Sequence, residues 1–169
     1  MTVDLLDKIG VKIIAKKNYF KVFEFQKINP IKISVESDWS SASYFYSIVA
    51  MAEIGYSITL SSFNKSSLQG DSNIAEIYKV FGVKTVYNEN KIKLEKVKSN
   101  IDKFSYNLTS NPDLAQTICI TCLGLGYSCN LTGLHTLKIK ETDRLIALRN
   151  ELGKFDLKVT INEDSISFG

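Results

Sequence analysis

The densest collection of groups able to do chemistry is His135-Thr136-Leu137-Lys138-Ile139-Lys140-Glu141-Thr142-Asp143-Arg144. With a helix beginning near Glu141, Glu141 and Arg144 are three apart and Lys140 and Arg144 four apart, so the three side chains share one face of the first turn. Two cations there oppose the helix dipole, which suits a bound anion better than a plain solvated helix end. A second polar segment, Ser110-Asn111-Pro112-Asp113, also reads as a helix start. Ser110 or Asn111 can cap it, Pro112 fits the first position and Asp113 falls in the first turn. Such a carboxylate either complements the dipole or projects into a cleft, and spacing does not separate the two. A third segment, Glu36-Ser37-Asp38-Trp39-Ser40-Ser41-Ala42-Ser43-Tyr44-Phe45, places Asp38 and serines before an apolar run, where they cap a helix.

Other chemistries have weaker footing. His135 is the only histidine, so a histidine pair or a multi-histidine metal site is excluded. Cys119, Cys122 and Cys129 are odd in number and lie in apolar surroundings, which favours buried structural thiols over disulfides or zinc. Net charge is only +3, with lysines scattered and no denser than Lys16-Lys17, so nucleic acid is not an expected partner. No apolar run approaches the roughly 20 residues of a membrane span, and Asp4 and Asp7 stand where a signal peptide would be basic and then apolar. The expectation is a cytoplasmic protein without membrane contact.

The elements that must hold these segments form an internal repeat. In residues 31–100, a strand Ile31–Val35 leads to an apolar helix Ser40–Ile54, a strand Ser57–Ser61 and a helix Asp71–Phe81 closed by Gly82. Val83–Tyr87 and Lys91–Leu94 then alternate around Asn88-Glu89-Asn90 as a hairpin. Residues 101–169 repeat the order: strand Phe104–Leu108, helix Asp113–Leu123, strand Cys129–Leu131, helix Glu141–Leu152, and hairpin Leu157–Ile161 with Ser165–Phe168. Each copy reads β-α-β-α-β-β. The chain opens with the tail of another such unit, helix Val3–Ile9 and hairpin Val11–Ala15 with Tyr19–Phe25, and Asn29-Pro30 marks a break. Residues 1–30 are thus expected to be the remnant of a preceding domain, in a protein that begins earlier than Met1. The doubled β-β ending at fixed intervals argues against a doubly wound parallel sheet.

Glu36 to Phe45, Ser67-Leu68-Gln69-Gly70-Asp71, Asn111-Pro112-Asp113 and Leu137 to Arg144, in this order, resemble the signature blocks of the EPSP synthase (3-phosphoshikimate 1-carboxyvinyltransferase) family from about Thr2 onward. That resemblance implies an α/β (α+β) enolpyruvyl transferase fold, two domains of three β-α-β-α-β-β units with the active site between them. By it, residues 31–100 and 101–169 are two of the three units of the second domain.

The implied reaction, in the shikimate pathway to chorismate and aromatic amino acids, transfers the enolpyruvyl group of phosphoenolpyruvate to the 5-hydroxyl of shikimate 3-phosphate. It releases phosphate and uses neither metal nor organic cofactor. The resemblance makes Asp113 the base and a shikimate 3-phosphate contact, and Glu141 the proton donor. It assigns Lys140 to shikimate 3-phosphate and Arg144 to phosphoenolpyruvate. Thr136 stands where the family often has asparagine, and Ser37 where glycine is usual before Asp38. The family's first-domain lysine, serine and arginine contacts, its Ser-Ser-Gln block and a later arginine and lysine fall outside this chain. The chain alone is therefore expected to be inactive, its missing partner being the first domain of the same polypeptide. UDP-N-acetylglucosamine carboxyvinyltransferase shares fold and chemistry, but the Lys140 to Arg144 block favours the shikimate enzyme. A non-catalytic anion-binding module on the same scaffold is the alternative from another class.

Overall fold

The computed structural model describes residues 1–24 and 30–169. The chain divides into two compact units, 1–36 and 37–169.

In the first unit, α1 (Thr2–Lys8) is followed by Gly10 at φ 86°, a left-handed residue that turns the chain into a hairpin. Strands β1 (Ile13–Lys16) and β2 (Tyr19–Val22) pair antiparallel from Ile13↔Val22 to Lys16↔Tyr19. The expected hairpin is present, though Phe25, its assigned end, lies outside the described residues. The expected strand Ile31–Val35 is not formed, and Ile31, Ile33 and Val35 are exposed. Alternation says which side of a strand would be apolar, but a strand exists only where a neighbour takes its N–H and C=O groups.

In the second unit, α2 (Trp39–Met51) begins at Asp38, whose carboxylate accepts from the Ser40 and Ser41 amides at 3.0 and 3.2 Å. The Ser41 hydroxyl adds a bond to it at 2.6 Å, and this hydrogen bond is the main reason the Asp38 carboxyl lies below its ordinary range. Strand β3 (Ser57–Ser61) pairs antiparallel with β5 (Lys91–Lys96), which pairs antiparallel with β4 (Val83–Asn88), giving the order β3-β5-β4. The second copy supplies β6 (Lys103–Asn107), α4 (Ala115–Leu125), β7 (Ser128–Thr132), α5 (Arg144–Gly153), β8 (Thr160–Ile161) and β9 (Ile166–Phe168). Its sheet order is β6-β7-β9-β8, with β6 parallel to β7 and the other pairs antiparallel. Strands β7-β9-β8 therefore repeat β3-β5-β4, and the sequence repeat is a repeat of topology.

Helix α2 ends at Met51 rather than Ile54 and α4 runs Ala115–Leu125 rather than Asp113–Leu123, and two further helices also depart from their expected extents. Asp71–Phe81 is a tight turn at Gly70–Asn73 followed by a single helical turn, α3 (Ile74–Ile77). Gly, Asp, Ser and Asn are all weak helix formers, and the apolar residues Ile74, Ile77, Tyr78 and Phe81 still bury together. Gly82, at φ 74°, closes this segment: its N–H donates to Lys79 O and that of Val83 to Tyr78 O, both at 3.0 Å. Helix α5 starts at Arg144 rather than Glu141, because Asp143 accepts from the Leu145 and Ile146 amides at 3.0 and 3.1 Å and so ends the helix as its cap. The final hairpin is also shorter than Leu157–Ile161 and Ser165–Phe168.

Helices α2 and α4 lie side by side in the core, joined by buried hydroxyls. Ser43 Oγ meets Thr117 Oγ1 at 2.7 Å, and Thr121 Oγ1 meets Ser47 Oγ at 2.8 Å and the Tyr78 hydroxyl at 2.7 Å. Lys96 is buried among these elements, and its ammonium donates to Ala50 O and Phe81 O at 2.5 and 2.9 Å, capping the ends of two helical segments. Cys119, Cys122 and Cys129 are buried and unpaired. Hydrogen bonding with Cys129, then burial, pushes the thiols of Cys119 and Cys122 well up, while the same hydrogen bonds pull Cys129 down.

Candidate active site

Asp113 reaches its place through tertiary contacts. Pro112–Leu114 forms a tight turn leading into α4, and Asn111, just before it, is buried. Neither Ser110 nor Asn111 caps this turn with its side chain as expected. Asn111 instead donates from Nδ2 to Gly70 O at 2.6 Å and accepts at Oδ1 from Asn73 Nδ2 at 3.4 Å. The Gly70–Asn73 turn of the first copy thus fixes the helix start of the second. Asp71 in that turn accepts from the Ser40 hydroxyl at 2.5 Å. Burial pushes its carboxyl above the usual range, with the Ser40 bond acting the other way.

Four of the five expected residues converge. Arg144 Nη1 donates to Asp113 Oδ1 and Nη2 to Glu141 Oε2, both at 3.0 Å, while Lys140 Nζ lies 3.2 Å from Asp113 Oδ1. Lys140 and Glu141 precede α5 and do not share its first turn, so the ion pairs bring the three together, not helical periodicity. Arg144 is 29% exposed and Glu141 81%, so the fork has a sheltered and a solvated prong. Glu141 is held below the ordinary carboxylate range by its own backbone amide and by Arg144. Thr136 sits in the turn His135–Ile139, its hydroxyl oxygen closed off from solvent and without a hydrogen-bond partner among the described residues.

A cavity of about 290 Å³ lies against this cluster, with Asp38, Ser40, Ser41 and Tyr44 of the first copy facing Asp113, Gln116 and Arg144 of the second. Thr136, Lys140 and Glu141 are not among the residues that line it. A polar cavity is therefore bordered by one cation, Arg144, which can grip an anion, and by the carboxylates of Asp38 and Asp113, with Lys140 and Glu141 joined to this lining through their ion pairs. Gln116, Ser41 and Tyr44 were not singled out for chemistry by the sequence. Gln116 is three residues beyond Asp113 on the same helical face, the one signal that could have found it.

The family model for EPSP synthase (3-phosphoshikimate 1-carboxyvinyltransferase) matches residues 1–168. The chain belongs to the EPSP synthase family. It is 36% identical over 166 residues to the 3-phosphoshikimate 1-carboxyvinyltransferase of Bacteroides fragilis strain YCH46, covering 98% of this chain and 40% of that enzyme. It is 37% identical over 172 residues to that of Methanococcus aeolicus, covering 98% and 39%. The chain thus spans about 40% of the length of these EPSP synthase relatives. Among solved structures, an EPSP synthase from Acinetobacter baumannii superposes with a TM-score of 0.71 at 20% identity over 99% of this chain and 40% of that one, which shows the shared enolpyruvyl transferase fold. The UDP-N-acetylglucosamine enzyme is not favoured, since these relatives are 3-phosphoshikimate 1-carboxyvinyltransferases.

Proposed function

We propose that this chain supplies one wall of the active site of a 3-phosphoshikimate 1-carboxyvinyltransferase. The observation that carries the reading is the bridging of Asp113 and Glu141 by Arg144, with Lys140 on Asp113, beside a polar cavity. Asp113 takes the proton of the 5-hydroxyl of shikimate 3-phosphate as that oxygen bonds to the enol carbon of phosphoenolpyruvate, and Glu141 delivers a proton to the methylene carbon. The tetrahedral adduct then loses phosphate and a proton from that carbon, restoring the enol ether. Lys140 pairs with the shikimate phosphate, and Thr136, whose hydroxyl has no partner among the described residues, is a further substrate contact. Arg144 grips phosphoenolpyruvate.

A depressed Glu141 is a poor acid, and the geometry suggests how it is relieved. An anion that takes the Arg144 fork removes Glu141's cationic partner and with it the part of the depression that Arg144 causes, while the bond from Glu141's own backbone amide, the larger cause, remains. Metal and organic cofactors have no part in this scheme.

Residues 31–100 and 101–169 are two of three units of one domain, and 1–30 the end of another. Support for a further unit comes from the exposed apolar stripe of Tyr44, Ile48 and Met51 on α2, continued by Ile120 on α4. The remaining cations for two multiply charged substrates come from the rest of the polypeptide, working in the cytoplasm.

Ligand-detected NMR titration of the isolated chain should show shikimate 3-phosphate binding that is weakened by Asp113→Asn, with no phosphate released when phosphoenolpyruvate is added. Turnover by the isolated chain, or binding indifferent to Asp113, would contradict the reading.

A further inference from the structure

Every charged side chain lining the cavity is already engaged. Asp38 caps α2, Asp113 holds Lys140 and Arg144, and Arg144 divides its fork between two carboxylates. Ser40 is committed to Asp71 and Ser41 to Asp38. Gln116 is different. It lines the same cavity, yet its Oε1 is closed off from solvent and has no hydrogen-bond partner among the described residues. Only one other side-chain atom among the described residues, Thr136 Oγ1, shares that condition. A buried amide oxygen without a donor is destabilising, and such an arrangement persists most readily where a ligand completes it.

The charged pairs can hold anionic groups but cannot tell one hydroxylated ring from another. A carboxamide can: it presents a donor and an acceptor in one plane, and so both accepts from and donates to a neutral hydroxyl. Gln116, in the first turn of α4, lines the same cavity as Asp113 of the tight turn just before it, so the hydroxyl it meets lies beside the one Asp113 deprotonates. A site built to hydrogen-bond a hydroxyl also rejects analogues lacking it, because the amide is then left unpaired.

We propose that Gln116 is a specificity-determining residue of this site, hydrogen-bonding a hydroxyl of an anionic polyhydroxylated ring next to the hydroxyl that reacts. The inference rests on the reading of Asp113 and Arg144 as the substrate site. Its test is an NMR titration of the full 169-residue chain and its Gln116→Met variant with three probes. These are shikimate 3-phosphate, its analogue lacking the 4-hydroxyl, and inorganic phosphate.

Gln116→Met, close in volume, should weaken shikimate 3-phosphate by about two- to twelve-fold and leave inorganic phosphate unchanged. Removing the 4-hydroxyl should weaken binding to the unaltered chain by a similar factor. It should have little effect on Gln116→Met, the non-additivity of a direct contact. Equal affinities in the two proteins, additive losses, or parallel losses for all three probes would overturn the role of Gln116 alone. Failure of the unaltered chain to bind any of the three phosphate-bearing probes would overturn the site reading and this inference with it. The analogue comparison on the unaltered chain still decides the matter if Gln116→Met melts early, since undiminished binding there overturns the role of Gln116.

Discussion

Arg144→Lys separates a clamp from a point charge. The guanidinium donates through two nitrogens, to Asp113 and to Glu141, each at 3.0 Å, and lysine has one nitrogen to divide between them. The Glu141 prong is solvated and contributes little to stability. The sheltered prong and the planar fork are what a carboxylate or phosphate would use. Loss of one charge-assisted hydrogen bond is worth about 1.5–3 kcal/mol, or about ten- to more than a hundred-fold. That is the expected drop in kcat/KM for phosphoenolpyruvate in an enzyme carrying this chain, measured by phosphate release. Affinity for shikimate 3-phosphate without phosphoenolpyruvate should fall far less, because Lys140 remains on Asp113 at 3.2 Å. Unchanged phosphoenolpyruvate kinetics would show that Arg144 only decorates a helix end, and the anion assignment would fall.

Asp38→Ala should destabilise the fold by about 1 kcal/mol through loss of the α2 cap, measured by urea titration at neutral pH. Because the Asp38 carboxyl is depressed in the folded state, its stabilisation is present above its unfolded value and is lost as pH falls through the folded one, so wild type and Asp38→Ala should converge in acid. Gly82→Ala should be far more damaging than Gly126→Ala. Both glycines have positive φ, 74° and 69°, but a Cβ at Gly82 runs into the Val97 carbonyl oxygen while one at Gly126 meets nothing within 4 Å. Thermal melting should separate the two variants clearly, and equal melting points would refute the packing argument. Lys96→Met should cost about 1–3 kcal/mol in urea unfolding, since Ala50 O and Phe81 O lose a buried donor. No loss would mean that the penalty for burying the ammonium already cancels both bonds.

Hairpins and apolar helices were legible because alternation and helical spacing survive in single segments: the expected hairpin Val83–Tyr87 with Lys91–Leu94 forms as Val83–Asn88 paired with Lys91–Lys96, and α2 starts at its Asp38 cap. The Lys140 to Arg144 block stood out through its charge pattern, and its members do meet in ion pairs around Asp113, although α5 starts at Arg144. Sequence did not separate Glu141 from Asp143 as the helix start because both are acidic and either position is favourable to an acid. What was not legible depends on distant partners. Ile31–Val35 has a strand's alternation without a strand's hydrogen bonds. Asn111 is read locally as a cap, but its side chain goes to Gly70, 41 residues away. Gln116 has an ordinary place on an apolar helix until the fold brings Ser41 and Tyr44 opposite it.

The central claim, that these residues form a working wall of a carboxyvinyltransferase, is tested most directly by a chimera. The matching 166-residue stretch of the Bacteroides fragilis enzyme, 36% identical, is replaced by this chain, and phosphate release from phosphoenolpyruvate and shikimate 3-phosphate is followed. The account predicts turnover that requires both substrates and is abolished by Asp113→Asn. A folded chimera that binds shikimate 3-phosphate without turnover, or whose turnover survives Asp113→Asn, would contradict it.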